Sequence, residues 1–593
     1  MPFASLRRRS SSVLARLLTL LSLTAFGCDS DTSQTGGEGG GPSDDGGGGS
    51  GGAALPENQP PAASFVATPP SGSAPLEVLL DATASSDPDG EIVSYSWSVD
   101  GSGNEVELPT TFDMVGCHTV ELTVTDDDGA TATATGTIVV ASGEASEPDV
   151  TIEAAPLASA VLPRDIETDE GTAHFEGTVL SDGYVEVRAE VVDPTGAVRK
   201  SISTPLCGAA PVSFELDVPV PSELTAFEIR LSLVGGVEPM AIFSVPDIVA
   251  GDIYVVNGQS NAESAQYAGD ANENQGPFVR SFGTNVEDGA ATAADAVWRI
   301  ANGNAGSGQA GIGQWPMRMA ARLAATHETP IGLVNGARGG KPIAYFQRND
   351  ANITDPATNY GRLLTRMQNA GLTGSVRAFL WYQGESDGAD FQAHHDGFLA
   401  LKDDWAADYG GVQRIYVTQI RAGCGGDLIR SQEVQRKLAD DFAEITVMST
   451  TGLDAHDGCH YAYEGGYREL GDRYAALLGR DLYGDMPDND VQPPNPADAK
   501  FAAGGTQIII AMRNDEAALT VDAGANANFR LEGSAAVVSG VSFSDGTLVL
   551  SLAGDASGAS GVTYLGHPQA GPWILNENGV GLLAFHNLPI AAE

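Results

Sequence analysis

The sequence predicts a multidomain chain: one α/β domain with a parallel sheet flanked by helices, set among several all-β sandwich domains. Three observations predict it. The 593 residues are too many for a single hydrophobic core. Between Val249 and Tyr483, apolar strand-like runs alternate with helical stretches, which is the pattern of a parallel sheet. On either side of that stretch, apolar residues recur with period two between turn residues, which is the pattern of sandwiches.

Composition narrows the partners. The chain holds 78 acidic and 31 basic residues, a formal charge of −47. Such a surface repels phosphate backbones, and no basic patch is interleaved with aromatics, so nucleic acid is excluded as a partner.

Arg7, Arg8 and Arg9 precede an apolar run from Leu17 to Phe26, too short to span a bilayer but suited to the core of an export signal. The run ends in Ala25-Phe26-Gly27-Cys28, which resembles a bacterial lipobox, with Phe26 bulkier than the usual pattern. That resemblance implies a signal peptide over residues 1–28, lipidation of Cys28, and anchoring at the bacterial cell envelope or surface, with plain secretion as the alternative. Residues 29–56 are Gly, Ser, Asp and Thr with almost no apolar residue, so they form a flexible tether.

Residues 57–143 read as short alternating strands. Asn58-Gln59-Pro60-Pro61, Ala74-Pro75-Leu76, Asp87-Pro88-Asp89-Gly90, Tyr95-Ser96-Trp97 and the run Leu122 to Gly129 together resemble a PKD-type domain. Trp97 is its expected core residue. The Asp87/Asp89 and Asp126 to Asp128 turns have calcium-like chemistry, but polar turns facing solvent are the favoured reading. The resemblance implies a spacer or a module contacting polysaccharide or protein. Residues 148–247 form a second expected sandwich, with alternating strands at Ala173 to Val179, Val185 to Val191 and Phe227 to Leu231. It runs without a linker into the next strand, so packing against the following domain is expected.

The α/β domain is expected over residues 248–484. Its first strand ends at Gly258-Gln259-Ser260-Asn261, placing a serine beyond the carboxyl end of a strand, where open α/β sheets hold their ligands. Helices are expected at Trp315 to Ala325, Tyr360 to Ala370, Phe391 to Asp408, Asp427 to Phe442 and Glu464 to Leu478. Strands are expected at Ile331 to Asn335, Val376 to Tyr382, Arg414 to Ile420 and Ile445 to Ser449. Residues 491–593 are Gly-rich and strand-like, with a clear strand at Thr547 to Leu552, and make the last expected sandwich.

Three further polar constellations follow strands of the α/β domain. Asn335 to Lys341 contains Gly339-Gly340, whose backbone N–H groups can turn toward a ligand. Trp381 to Asp387 places Gln383 at a strand end. Asp457-Gly458-Cys459-His460 lets an Asp hold a His ring nitrogen within one turn, leaving the other nitrogen as a base. Each alone is an ordinary polar turn. Together with Ser260 they are the parts acyl transfer requires.

That set resembles the SGNH-type hydrolases, in the branch of carbohydrate esterases typified by sialate O-acetylesterases and acetylxylan esterases. The resemblance implies a three-layer α/β fold with a flavodoxin-like parallel sheet. It implies Ser260 as nucleophile on an acetyl ester, His460 as general base then acid, and Asp457 as the group orienting His460. The oxyanion is expected to meet the Ser260 and Gly340 N–H groups and the Gln383 side chain. Gly340 is preferred to Gly339 because the polar Lys341 follows it. Gln383 stands where the wider superfamily has Asn. Gln259, Asn261 and Glu385 are expected to contact substrate; for Glu385 the alternatives are helping to orient His460 and a structural hydrogen bond, of which the structural hydrogen bond is favoured. No metal or cofactor is expected.

Of the remaining cysteines, Cys424 and Cys459 lie in loops of one domain and are the expected disulfide. Cys117 and Cys207 lie in different expected domains and stand either unbonded or bridged across them. His456 neighbours the Asp457 to His460 motif and Arg421 follows a strand end; contact with sugar hydroxyls or a carboxylate is open to either, and a surface or loop-packing role is the favoured reading. Two rival functions remain: an inactive surface protein that binds glycans or mediates adhesion, and a lipase-like esterase, which no long apolar lid segment supports.

Overall fold

A computed structural model describes residues 58–591, apart from residues 100, 236–237, 266–270, 306–307, 514–517 and 569. The expected signal peptide, the Cys28 lipidation site and the tether over residues 29–56 lie outside the described residues.

Residues 66–141 form two antiparallel-rich sheets. One pairs Leu76–Asp81 with Val66–Thr68 and Glu107–Phe112, and the other centres on Gly116–Asp126 between Ile92–Val99 and Thr131–Ala141. Period-two patterning explains the layers: Leu76, Val78 and Leu80 turn inward while Glu77 and Leu79 face water. Their core is Trp97, Phe112, Leu122, Val124 and Ile138. The Trp97 indole N–H is satisfied by the Glu105 carbonyl at 2.8 Å. The acidic turns hold themselves together: Asp126 Oδ1 accepts the N–H groups of Asp128 and Ala130, and Asp127 Oδ1 accepts that of Glu91.

The next strands, Glu170–Val179, Glu186–Val192, Val212–Pro221 and Phe227–Val234, lead into one long strand, β1, Met240–Gly258. Its first half pairs antiparallel with Phe227–Val234. Its second half is the first strand of a parallel sheet, so the expected packing is a shared strand.

That sheet adds β2 (Val279–Phe282), β3 (Ile331–Asn335), β4 (Val376–Tyr382), β5 (Arg414–Thr418) and β6 (Ile445–Met448). The spatial order is β2-β3-β1-β4-β5-β6, all parallel, with Trp298–Ile300 antiparallel on the β2 edge. Five helices matter to the site: α1 (Gln314–His327), α2 (Asn359–Asn369), α3 (Phe391–Asp408), α4 (Ile429–Asp441) and α5 (Arg468–Tyr483). Alternate strand residues bury opposite faces. Ile253, Val255, Phe379, Trp381 and Val417 pack with Leu364, Trp405 and Leu438 of α2, α3 and α4. Tyr254, Val256, Leu380 and Tyr416 pack with Trp315, Leu323, Leu470 and Leu477 of α1 and α5. The result is three layers, helix on sheet on helix, with strands buried on both faces.

Three details depart from expectation. The short strands β2 and Trp298–Ile300 were not foreseen. The last helix begins later and runs farther than Glu464 to Leu478, ending at Tyr483 and capped by Gly484 with φ +77°. It is preceded by a wide turn over Tyr463–Tyr467 rather than by a regular helical start.

Residues 496–591 form a seven-stranded sheet and a two-stranded sheet around Ile508, Ile510, Leu548, Leu550 and Phe585. They press on the α/β layers. Gln419, beyond β5, exchanges two 2.9 Å hydrogen bonds with the Ala584 backbone, and Arg436 of α4 donates to Asn495 and Pro496.

Candidate active site

The connections of the sheet run one way from β1 to β3 and the other way through β4 to β6. The crevice beyond the carboxyl ends of β1 and β4 is therefore its switch point. Ser260 stands at that crevice, opening a single helical turn, Ser260–Glu263. Gly258 makes the approach possible: it has φ +130°, and a Cβ there would meet the Tyr382 carbonyl oxygen at 2.2 Å.

His460 comes from the loop between β6 and α5, 200 residues away in sequence, and its Nε2 lies 3.0 Å from Ser260 Oγ. Asp457 Oδ1 accepts the N–H groups of Cys459 and His460 at 2.9 and 2.8 Å. This turn aims the carboxylate at the imidazole, with Oδ2 3.7 Å from Nδ1, an ion-pair distance longer than a hydrogen bond. Both side chains are about one-third exposed, 35% and 37%, so the dyad faces an open crevice.

The glycine turn lies beside the serine. A Cβ on Gly339 would come 3.5 Å from Ser260 Cβ, and the Gly339 N–H donates to Glu263 Oε2 at 2.9 Å. Gly340 is exposed, with φ +70°. The Gly339 N–H is thus engaged, while Gly340 carries the turn outward.

Gln383 has a different task from the expected one. Its amide nitrogen donates to Asp387 Oδ2 at 2.7 Å and faces the Lys341 carbonyl at 3.4 Å, so its donors are directed into the protein. Asp387 also accepts the Ile343 N–H at 2.8 Å and the His394 Nδ1–H at 3.0 Å. The His394 Nε2 faces Gln435 Nε2 at 3.2 Å, which makes it the acceptor and leaves the proton on Nδ1. Asp387 therefore knots the β4 end, the glycine turn and α3 together.

Of the expected substrate contacts, Gln259 and Asn261 are redirected because both are buried, and the buried Glu385 makes the structural hydrogen bond favoured for it. Gln259 Oε1 accepts the N–H groups of Gly384 and Ser386. Asn261 donates to Glu385 at 3.0 Å and to the Cys459 carbonyl at 3.2 Å, and accepts from Tyr467 at 2.8 Å. Asn261 thereby ties the serine turn to the histidine loop. Burial pushes the Glu385 carboxyl up to about 7, against the Asn261 hydrogen bond, which lowers it. These residues hold the frame of the crevice instead of lining it.

Cys424 and Cys459 are bonded, as are Cys117 and Cys207, which resolves the pair left open in the sequence. Arg421 and His456 pack on the histidine loop. Among the described residues, the side chains able to share a metal are His174, Glu176 and Glu215, with ligand atoms within 4.8 Å of one another. They sit on the strands before β1, not at Ser260.

Sequence reasoning missed Glu263 and the role of Asp387. Asp387 lay inside a motif already singled out, but its partners come from a distant turn and helix. Glu263 carried no signal beyond its place one turn after the serine.

Residues 250–479 match the model of the family described as carbohydrate esterase, sialic acid-specific acetylesterase, and residues 58–140 match the PKD domain. The chain is thus similar to that carbohydrate esterase family over residues 250–479 and to the PKD domain over residues 58–140. A solved carbohydrate acetylesterase from Xanthomonas citri is similar at 18% identity, over 73% of this chain and 98% of its own, with TM-score 0.52. The PKD1 domain of Vibrio anguillarum Epp is 40% identical over 14% of this chain and 96% of its own, with TM-score 0.13.

Proposed function

We propose that the α/β domain, residues 248–484, is an SGNH-type serine esterase that removes O-acetyl groups from carbohydrates of the sialic acid or xylan type. The observation that carries this reading is the 3.0 Å contact between Ser260 Oγ and His460 Nε2, with Asp457 aimed at the other ring nitrogen.

His460 takes the Ser260 proton as Oγ attacks the acetyl carbonyl, and the alkoxide of the tetrahedral intermediate forms over the glycine turn. The Ser260 and Gly340 backbone N–H groups receive that charge. Gln383, with its nitrogen held by Asp387, supports the turn from behind. His460 then protonates the departing sugar hydroxyl, leaving an acetyl-serine. Water, deprotonated by His460, attacks it and releases acetate. Asp457 keeps the ring in the tautomer that both steps need. The crevice is open and the dyad partly exposed, which suits an acetyl group displayed on a large glycan. Export with a lipid anchor at Cys28 would hold such an enzyme at the cell envelope, among polysaccharides.

The test is acetate release from acetylated xylan and from O-acetylated sialic acid by the chain lacking its signal, beside Ser260→Ala. The expected result is release by the parent and a fall of at least about 10³-fold in the variant. No release from either glycan, nor from a small acetyl ester, would sink the esterase reading in favour of a glycan-binding surface protein.

A further inference from the structure

We propose that Arg421 is a positioning residue through which the C-terminal sheets set the loop carrying Asp457 and His460, making those sheets part of the catalytic unit. This rests on the esterase reading above.

Arg421 follows β5 and is only 3% exposed. Its guanidinium touches three groups in two segments. One nitrogen donates to the Gly458 carbonyl. The other lies 2.7 Å from His456 Nε2 and donates to the Pro568 carbonyl at 2.6 Å. Gly458 and His456 are the two neighbours of Asp457, so the cation holds the residues on both sides of the triad acid, one by its carbonyl and the other by its ring. Burial and the Arg421 charge hold the His456 ring below its ordinary range, which keeps it neutral and able to accept. Pro568 belongs to the C-terminal region, between the strands Gly561–Tyr564 and Ile574–Asn576.

Two neighbouring features act the same way. A Cβ on Gly423 would lie 2.9 Å from Pro568 Cβ, so the two segments are in contact there. The Cys424–Cys459 disulfide joins the Arg421 loop to the residue before His460. Disulfide and guanidinium thus fasten the histidine loop at two points, and Pro568 supplies an anchor outside the α/β domain. A guanidinium is suited to this because its planar fork reaches several carbonyls at once, which an ammonium cannot.

Without the fork, Asp457 and His460 keep their chemistry but lose their placement. Displacements near 1 Å in a catalytic constellation cost about 10²-fold. In the full chain, Arg421→Gln is expected to lower kcat on a small acetyl ester by about 30- to 100-fold, with KM changed less than about twofold. Arg421→Lys should recover part of the loss, and added guanidinium should restore activity to Arg421→Ala. Hydrogen exchange of the amides of residues 454–461 should quicken in Arg421→Gln whether or not the chain turns over any ester.

A kcat for Arg421→Gln within about twofold of the parent overturns the proposal, as does a loss expressed in KM. If the parent itself hydrolyses no acetyl ester, the esterase reading fails separately. Hydrogen exchange then decides: unchanged protection of residues 454–461 in Arg421→Gln and Arg421→Lys overturns the proposal.

Discussion

Residues 66–141 and residues 150–258 are built alike, from short alternating strands, yet they relate differently to the α/β layers. The first region closes its own core on Trp97, Phe112 and Leu122. It meets the second through a small apolar cluster of Val139, Ala141 and Val185 and through the Cys117–Cys207 bond. The second region has no core of its own. Phe175, Val187 and Leu231 belong to the same continuous cluster as Val255, Phe379 and Trp405 of the α/β layers. The reason is β1, which leaves one sheet and enters the other without a break. Similar strand patterning therefore yields one module that is appended and one that is structural framework. The contrast predicts two unfolding events, one for the appended module and one for the fused remainder.

Asp252 offers the largest test of that fusion. Its carboxylate is fully buried in β1 and pairs with Arg164 of the preceding strand region at 2.9 Å and with Arg377 of β4 at 2.8 Å. Asp252→Ala leaves two buried guanidinium groups without their shared anion, a loss of about 3–5 kcal/mol. Calorimetry should show the fused transition lowered and the transition of residues 66–141 unmoved. If both move together, the first region is not separate.

The sequence made the α/β layers legible where hydrophobicity alone decides. β3 and β4 match their expected spans because strands buried on both faces read as uninterrupted apolar runs. β2 escaped because Arg280 interrupts it, a guanidinium 1% exposed and satisfied by Asp247 and by the Pro277 carbonyl. No local pattern foretells that partner. The site divides the same way. Ser260 was nameable because it stands at a strand end, and Asp457 and His460 because they share a short motif in the loop after β6. Gln259, Asn261, Gln383 and Glu385 stood in the same motifs, but which way an amide or carboxylate turns depends on partners such as Asp387 and Tyr467, fixed only by tertiary packing. Arg421 was visible as a loop residue, whereas its Pro568 partner is 147 residues away.

Glu385 gives a smaller, pH-dependent effect confined to the fused region. Its folded carboxyl is raised to about 7 by burial, whereas in the unfolded chain it ionises near 4.5. Between those values the unfolded state has lost the proton and the folded state keeps it. Stability therefore falls as pH rises from about 4.5 to about 7, by up to ~3 kcal/mol, and this contribution levels off above. Glu385→Gln should flatten that slope in the fused transition and leave the other transition unaffected. A slope that persists in the variant would assign it to another buried group.

The smallest effect is expected from removing the appended module. Beyond Ser142 the contacts between the regions are few: the Ser146 N–H with the Asp182 carbonyl at 3.3 Å, and the Tyr184 hydroxyl with the Ser146 carbonyl. The Tyr184 hydroxyl also meets Met240 Sδ at 3.3 Å, at the start of β1, but neither contact involves the loops around Ser260. Cys207 is the one covalent tie, so the deletion is best made with Cys207→Ser, sparing an unpaired thiol. Deleting residues 1–147 in that background should leave kcat/KM on a soluble acetyl ester within about twofold, because distant sites without shared partners act additively. Activity on an insoluble acetylated polysaccharide measures something else, since a module that contacts glycan raises local concentration without touching the ester. A loss on the polymer with none on the small ester would give the PKD-type module a targeting role. A loss on both would mean that the framework extends farther toward the N-terminus than β1 and its neighbours.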